Sequence, residues 1–576
     1  LRDRVLLGVG LVAGALYVIG LGRAPFLDPP EGIHAQIAWE MLQHGDWITP
    51  HLNGVPYFDK PPLLYWLMAA SFALLGPTEG AARLWSAVPA VAVAVLTARI
   101  GLWLGSARVG LLAGLMVTAN LEVFLFARLV KPDLLFVALI LLAFCGFILH
   151  YLEGGRRWLL LFYGALGLSV LAKDLMGAVG PLVAVAVFLA LTGEGRRWSQ
   201  WAPWGGIALL LAITVPWFAL MEWRNRGFLW YTIVDNHLLN VARQRVYPDE
   251  DVPLTALEFL GVTAAGFFPW VLALPWALER AFRRPWETPE ARMWLLLGLW
   301  GAGALAVFTL SPFKLPHYGL PAFPALALLV ARAWSDAVDA ARGAPARAAL
   351  LVPPLVAAGL IGLLTLAVWR GLVPLPAAGL GVADVSARNM AARGQETPDL
   401  SLALFAPLFG TIGIIFSLGA AGVGAALWRR RPIIGVGALL ATMIAFLPVA
   451  AEGFTSFARS RSVRPVTEAL ALRAGAADVL AHEGALENSA SALIALGRPV
   501  KIVNGLQSNL AFGSTFPEAR GVFWDTRTLA RAWAGEQRVF LLSTVGPARS
   551  VVRELPRERV HLLASGGGRW LYSNRP

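Results

Sequence analysis

Apolar runs long enough to cross a bilayer recur along this chain, and they limit it to a bundle of helices. A spanning helix needs about 17–25 mostly apolar residues. Such runs lie at 5–22, 81–104, 109–125, 132–150, 158–172, 175–192, 202–222, 254–279, 292–310, 315–334, 347–371, 402–428 and 432–451. The expected fold is therefore mainly α, a polytopic bundle of about thirteen transmembrane helices. Composition agrees, since 15% of the 576 residues are charged against about 25% in soluble chains. No small-residue cleavage site follows the run at 5–22, so a retained first helix is expected. Residues 63–76 (LLYWLMAASFALLG) are too short to span and predict an interfacial or re-entrant helix.

Charge placement orients the bundle. With Arg2 and Arg4 inside, the short loops holding Arg108, Arg156-Arg157, Arg196-Arg197, Arg280, Arg283, Arg284, Arg332, Arg342, Arg347 and Arg429-Arg430-Arg431 share one side. That is the positive-inside pattern. It accounts for the net charge of +12 without a nucleic-acid partner. The outer side then receives the first loop (23–80), the Arg128–Asp133 turn, Lys173-Asp174, a second large loop (223–253), Ser311–Tyr318, the 372–401 loop and the tail. Lysine is rare: of 48 basic residues only Lys60, Lys131, Lys173, Lys314 and Lys501 are lysines, and all fall outside, as do seven of the eight histidines. Arginine supplies generic positive charge here, so the lysines mark places where a compact ammonium serves. The lone cysteine, Cys145, rules out an intrachain disulfide.

Composition changes after residue 454. Strand-length segments (500–503, 538–542, 561–563) alternate with helix-like runs (466–480, 526–533), and Gly566-Gly567-Gly568 marks a turn. Residues 1–454 are expected to form the membrane domain and 455–576 a small α/β extracytoplasmic domain.

The most polar stretch is Asp28 to Pro62 (DPPEGIHAQIAWEMLQHGDWITPHLNGVPYFDKPP). Ile33, Ile37, Ala38, Met41 and Leu42 repeat at helical spacing, which predicts a helix lying in the membrane interface. Asp28 and Glu31 stand at its start, and a carboxylate at a water–lipid boundary is a candidate general base. Asp59-Lys60, stiffened by Pro61-Pro62, offers an ammonium for a phosphate. Lys131-Pro132-Asp133 and Lys173-Asp174 add charged pairs. Asp235-Asn236-His237, Arg243, Arg245, Lys314 and Tyr318 add further groups for an anion. Asp59, His34 and His237 are a candidate ligand set for a divalent metal ion. Cations for a phosphate ester together with carboxylates, gathered at one membrane face, suit chemistry on phosphate-bearing lipids. A lipid-linked saccharide transporter would instead place its charges on broken helices near the bilayer midplane.

The chain resembles bacterial integral-membrane glycosyltransferases of the C superfamily, the group that contains the lipid A aminoarabinose transferase and is related to protein O-mannosyltransferases. The resemblance rests on PEGIHAQIAWEMLQHGDWITPHLNGVPYFDKPPLLYWL, AARLWSA, KPDLLF, LAKD, FFPWVLALP and SPFKLPHYGLPAFPALALL, within residues 5–335. It implies a sugar donor on undecaprenyl phosphate, inversion at the sugar carbon, and transfer at the outer face of a bacterial inner membrane. The implied acceptor is a lipid, such as a lipid A-like one, or another envelope glycan, with protein as the alternative. By position, Glu31 and the acid near it match the first-loop acidic motif, and Asp133 the second-loop acid. Lys60 is implied on the donor phosphate, and Tyr318 matches a tyrosine after Lys-Leu-Pro. Two positions depart from the pattern. Pro30 replaces the first of two adjacent acids, which leaves Glu31 as base alone or Asp28 in the missing role. His34 replaces an aromatic residue.

Overall fold

The computed structural model describes residues 1–247, 252–283, 285–339, 344–374, 388, 402–506 and 509–576. Most of the 372–401 loop, the end of the 223–253 loop, Arg284 and Arg342 lie outside the described residues.

Helix occupies each of the thirteen apolar runs. Seven helices are long and apolar enough to span alone among the described residues, beginning with Glu79–Leu104 and ending with Pro432–Arg461. Two further runs are broken rather than continuous. Ala107–Thr118 and Leu121–Ala127 meet at 60°, and Ala256–Gly266 and Trp270–Phe282 at 104°. The first break is a capping site: Asn120 Oδ1 accepts the Val123 N–H at 2.9 Å and starts a new helix inside an apolar run. At the second, Pro269 lacks the N–H that a continuous helix needs. Four helices of 17 residues, Arg2–Val18, Arg156–Ala172, Met176–Thr192 and Phe323–Asp339, rise about 25 Å each, slightly less than the hydrocarbon thickness of about 30 Å. Helices Glu79–Leu104 and Ala107–Thr118 pack backbone to backbone, because a side chain at Gly101 would collide with Gly110. Rows such as Val356, Leu360, Leu363 and Leu364 remain exposed and suit a lipid surface.

A cap covers one end of the bundle. It holds helices Gly32–His44 and Leu63–Leu75 and a hairpin of β1 (His51–Leu52) and β2 (Val55–Pro56). Asn53 and Gly54 turn that hairpin with φ of 58° and 73°, the left-handed pair that a two-residue hairpin loop favours. The Gly32–His44 helix buries its apolar residues as the periodicity predicts. Its polar residues His34, Gln36 and Glu40 are buried too, with partners inside the cap: His34 meets the Tyr65 hydroxyl, Gln36 donates to Glu40, and Glu40 accepts the N–H groups of Asn53 and Gly54.

The chain's C-terminal part is a six-stranded sheet of β3 (Val479–Glu483), β4 (Lys501–Val503), β5 (Phe523–Trp524), β6 (Val539–Ser543), β7 (His561–Gly566) and β8 (Arg569–Ser573). The order is β5-β4-β3-β6-β8-β7. The first four strands are parallel, and β8 and β7 add an antiparallel edge. The run 466–480, read as helix, divides into helix Arg464–Ala471 and the start of β3. Helix Pro432–Arg461 passes through residue 454 without interruption, so the expected boundary falls inside a helix. The sheet unit grips the cap directly. Asn53 Nδ2 donates to Val500 O at 2.9 Å, and Val500 N–H donates back to Asn53 Oδ1 at 2.8 Å. Phe58 meets Phe512 and Phe516 at 5.1 Å each, and Tyr231 stacks on Phe512 at 4.5 Å and 4°.

Candidate active site at the capped end of the bundle

Glu31 and Arg83 anchor the cap. Arg83 donates to both carboxylate oxygens of Glu31, Nε to Oε1 and Nη2 to Oε2, at 2.7 Å each. Its three other N–H groups reach the carbonyls of Leu21, Ala24 and Pro25 at 2.7–3.0 Å. Glu31 also accepts the N–H of Leu27 and of Val130, each at 2.9 Å. All five donors of Arg83 and about four acceptor directions of Glu31 are thus engaged. The Glu31 side chain is 0% exposed. No oxygen is left to take a proton from a substrate, so the geometry does not fit the base role expected for Glu31.

Asp28 is buried against the C-terminal unit, where it accepts the Ser491 N–H at 3.1 Å and the Ser491 hydroxyl. Burial pushes its carboxyl up to about 6, although Arg569 and the Ser491 bonds pull the other way. Ser491 thus covers the second candidate base as well.

The remaining groups converge beside this anchor. Lys60 Nζ donates to Asp59 Oδ2 at 2.6 Å, and both side chains keep some exposure (27% and 18%). The Tyr57 hydroxyl donates to the same oxygen at 3.4 Å. Burial works against the charge of Asp59, but Lys60, Arg245 and His34 hold it below the usual carboxylate range. His34 shares a hydrogen bond of 3.1 Å with the Tyr65 hydroxyl. Burial, together with Lys131 and Lys60, depresses the imidazole to about 3, so it is neutral at physiological pH. Asp133 accepts from Lys173 Nζ at 2.6 Å and lies 3.6 Å from His317 Nε2. Lys173 also sits 4.9 Å from the centre of the Tyr318 ring. The expected residues Asp59, Lys60, Asp133 and Tyr318 therefore belong to one polar cluster with His34, Lys131, Lys173 and His317.

The second large loop is split in its contribution. Trp230–Leu239 is a π-helix that carries Asp235. Buried Asp235 accepts the Val246 N–H at 2.6 Å and Arg245 Nε at 3.4 Å, folding Arg245 back toward the cluster. Arg243 is exposed, with φ of 58°. Lys314 is buried, and its ammonium has no hydrogen-bond or ion-pair partner among the described residues. The metal set is not assembled. His237 Nδ1 bonds its own helix at Thr232 O (2.6 Å), and no group of three His, Cys, Asp or Glu suited to a metal occurs among the described residues.

The comparisons with known proteins bear on this arrangement. A family model described as dolichyl-phosphate-mannose-protein mannosyltransferase matches residues 59–219. Those residues carry Asp59-Lys60, Asp133 and Lys173. The undecaprenyl phosphate-alpha-4-amino-4-deoxy-L-arabinose arabinosyl transferase of Erwinia tasmaniensis is 30% identical over 369 residues, covering 62% of this chain and 65% of that protein. The Pseudomonas aeruginosa (PAO1) protein of the same name is 32% identical over 342 residues, 56% of this chain and 58% of its own length. The chain thus spans somewhat less than two thirds of the length of these curated relatives. The crystal structure of ArnT from Cupriavidus metallidurans bound to undecaprenyl phosphate superposes with a TM-score of 0.80, at 22% identity, over 99% of this chain and 97% of that one. This chain has the aminoarabinose-transferase-like fold. The resemblance drawn from the motifs of residues 5–335 is matched by sequence and by fold, and the sheet unit after Arg461 is part of the fold too.

Within the aminoarabinose-transferase-like fold, four contributors escaped sequence reasoning. Arg83 sits in the quoted AARLWSA motif, and an arginine one turn into an apolar run was the available signal. Ser491 and Arg569 approach Asp28 from more than 460 residues away, and no local pattern announces them. Glu122, buried in the short helix Leu121–Ala127, interrupts the run 109–125 with a charge.

Proposed function

We propose that this chain is a membrane glycosyltransferase that moves a sugar from a polyprenyl phosphate donor to a lipid acceptor, with inversion at the sugar carbon. The observation that carries the reading is the cluster at the capped end of the bundle, where Lys60, Lys131, Lys173 and Arg245 surround Asp59 and Asp133. Preplaced cations stabilise the charge that grows on a departing phosphate. Lys60 and Arg245 are proposed to hold the donor phosphate, with Tyr318, Lys314 and Arg243 lining its approach. The named relatives, which use undecaprenyl phosphate-linked aminoarabinose, and the fold match support the same reading.

With Glu31 consumed by Arg83 and Asp28 covered by Ser491, Asp59 is the carboxylate that keeps exposure beside the cations. Asp59 is held ionised and is a weak base. The reading therefore favours an acceptor oxygen that is already ionised, such as a lipid phosphate. The family model over residues 59–219 favours a second reading, a protein hydroxyl as acceptor. We place the N-terminus and the arginine-rich loops inside, and the cap with its sheet unit on the outer, periplasmic face. We place the boundary of that unit after Arg461.

The test is transfer by purified protein in lipid, with a panel of labelled undecaprenyl-phosphate sugars, a membrane lipid extract and a hydroxyl-bearing peptide. Transfer that collapses in Lys60→Ala and Asp59→Asn supports the proposal. Absence of transfer from every donor overturns it, and transfer to the peptide alone selects the second reading.

A further inference from the structure

Glu122 is a buried carboxyl near the cluster that the proposed chemistry leaves unused. The residue is 7% exposed, and neither carboxylate oxygen has a hydrogen-bond partner among the described residues. Such a group in a dry site is costly unless something completes it. The surroundings keep room for it: a methyl group at Gly266 would collide with Glu122 Oε2. Thr263, one helical turn before Gly266, has an equally buried hydroxyl without a partner, and the Thr263 side chain lies against Gly319. The site adjoins the cluster. Phe126 follows Glu122 by one turn on the same helical face, and its ring lies 5.2 Å from that of His317, which reaches Asp133.

A carboxylate and a hydroxyl together offer three acceptor atoms, and an ammonium brings three donors. A metal ion has too few ligands here, and an ammonium, unlike a neutral hydroxyl, brings the opposite charge that lets a buried carboxyl ionise. We infer that Glu122 and Thr263 form a subsite for a primary ammonium group and set the preference of the site for an aminated ligand. The ammonium can be carried by the donor sugar, which rests on the function proposed above, or by a lipid headgroup.

The experiment measures binding of bare undecaprenyl phosphate, an undecaprenyl-phosphate amino sugar and its hydroxyl counterpart, each in vesicles with and without phosphatidylethanolamine. Wild type and Glu122→Gln are compared. The expected result is a preference of ~10- to 100-fold for the aminated donor in wild type, falling to within ~3-fold in Glu122→Gln, with affinity for bare undecaprenyl phosphate unchanged. If the headgroup is the source, phosphatidylethanolamine instead competes with wild type and not with the variant. Gly266→Ala, which crowds the carboxylate, should act in the same direction. An amine preference that survives in Glu122→Gln, or no amine discrimination by wild type, overturns the inference. Failure of bare undecaprenyl phosphate to bind wild type counts against the proposed function alone. If Glu122→Gln does not retain that binding, Thr263→Val decides, with an expected loss of ~3-fold or more in preference.

Discussion

Replacing Arg83 by Met should unfold the cap rather than tune its chemistry. The change leaves the Glu31 carboxylate buried with two backbone N–H donors in place of four, and it strips a donor from each of three carbonyls. Breaking a buried pair from one side costs about 3–5 kcal/mol, and the three orphaned carbonyls add to that at about 1 kcal/mol each if water does not reach them. Glu31→Gln leaves the Arg83 guanidinium buried and short of its anion, for a similar loss of about 3–5 kcal/mol. The double change removes both charges, so its cost should fall below the sum of the singles by about 2–3 kcal/mol. The assay is denaturant or thermal unfolding of the protein in detergent, followed by tryptophan fluorescence, with activity normalised to folded protein. If both single changes cost less than 1 kcal/mol, or if the cycle is additive, the anchor reading is refuted. A Glu31→Gln protein that is fully stable yet inactive would return Glu31 to the role of base.

Lys60→Ala should weaken donor binding by ~10- to 100-fold, the worth of a charge-assisted bond to phosphate, while undecaprenol without phosphate binds unchanged. Asn53→Ala removes both hydrogen bonds to Val500 and should loosen the C-terminal unit by about 2 kcal/mol, seen as faster proteolysis after Arg461. Asp28 gives a pH signature. Its carboxyl rises from 3.8 to about 6 on folding, so the folded state binds the extra proton between those values. The contribution of Asp28 to stability is therefore greatest below pH ~4, falls through ~6 by roughly 3 kcal/mol, and is level above. Asp28→Asn should flatten that slope in a pH series of unfolding curves.

The membrane part of the fold was legible because apolar run length is a one-dimensional property. Span ends, the Asp59-Lys60 pair and Lys173 could be read in place. The breaks at Asn120 and Pro269 were harder, since a cap or a proline within an apolar run competes with a continuous helix that composition favours equally. The site was only half legible. Glu31 looks like a base when it is read as part of the first-loop acidic motif, and its anchoring contacts show only when Arg83, 52 positions on, and Val130, 99 positions on, are folded onto it. The first two residues of β3 fall in the run 466–480 expected as helix, because a strand of five residues carries little signal of its own.

The hydrogen bonds between Asn53 and Val500 join residues 447 positions apart. At about 5–20 residues per second, the first loop waits roughly 20–90 s before the segment that pins it has been made. During that time the helices between them can insert and pack while the capped end stays open. A nascent chain that stops short would be a well-inserted bundle with an unfinished site, so activity itself reports that synthesis has run to the last strand.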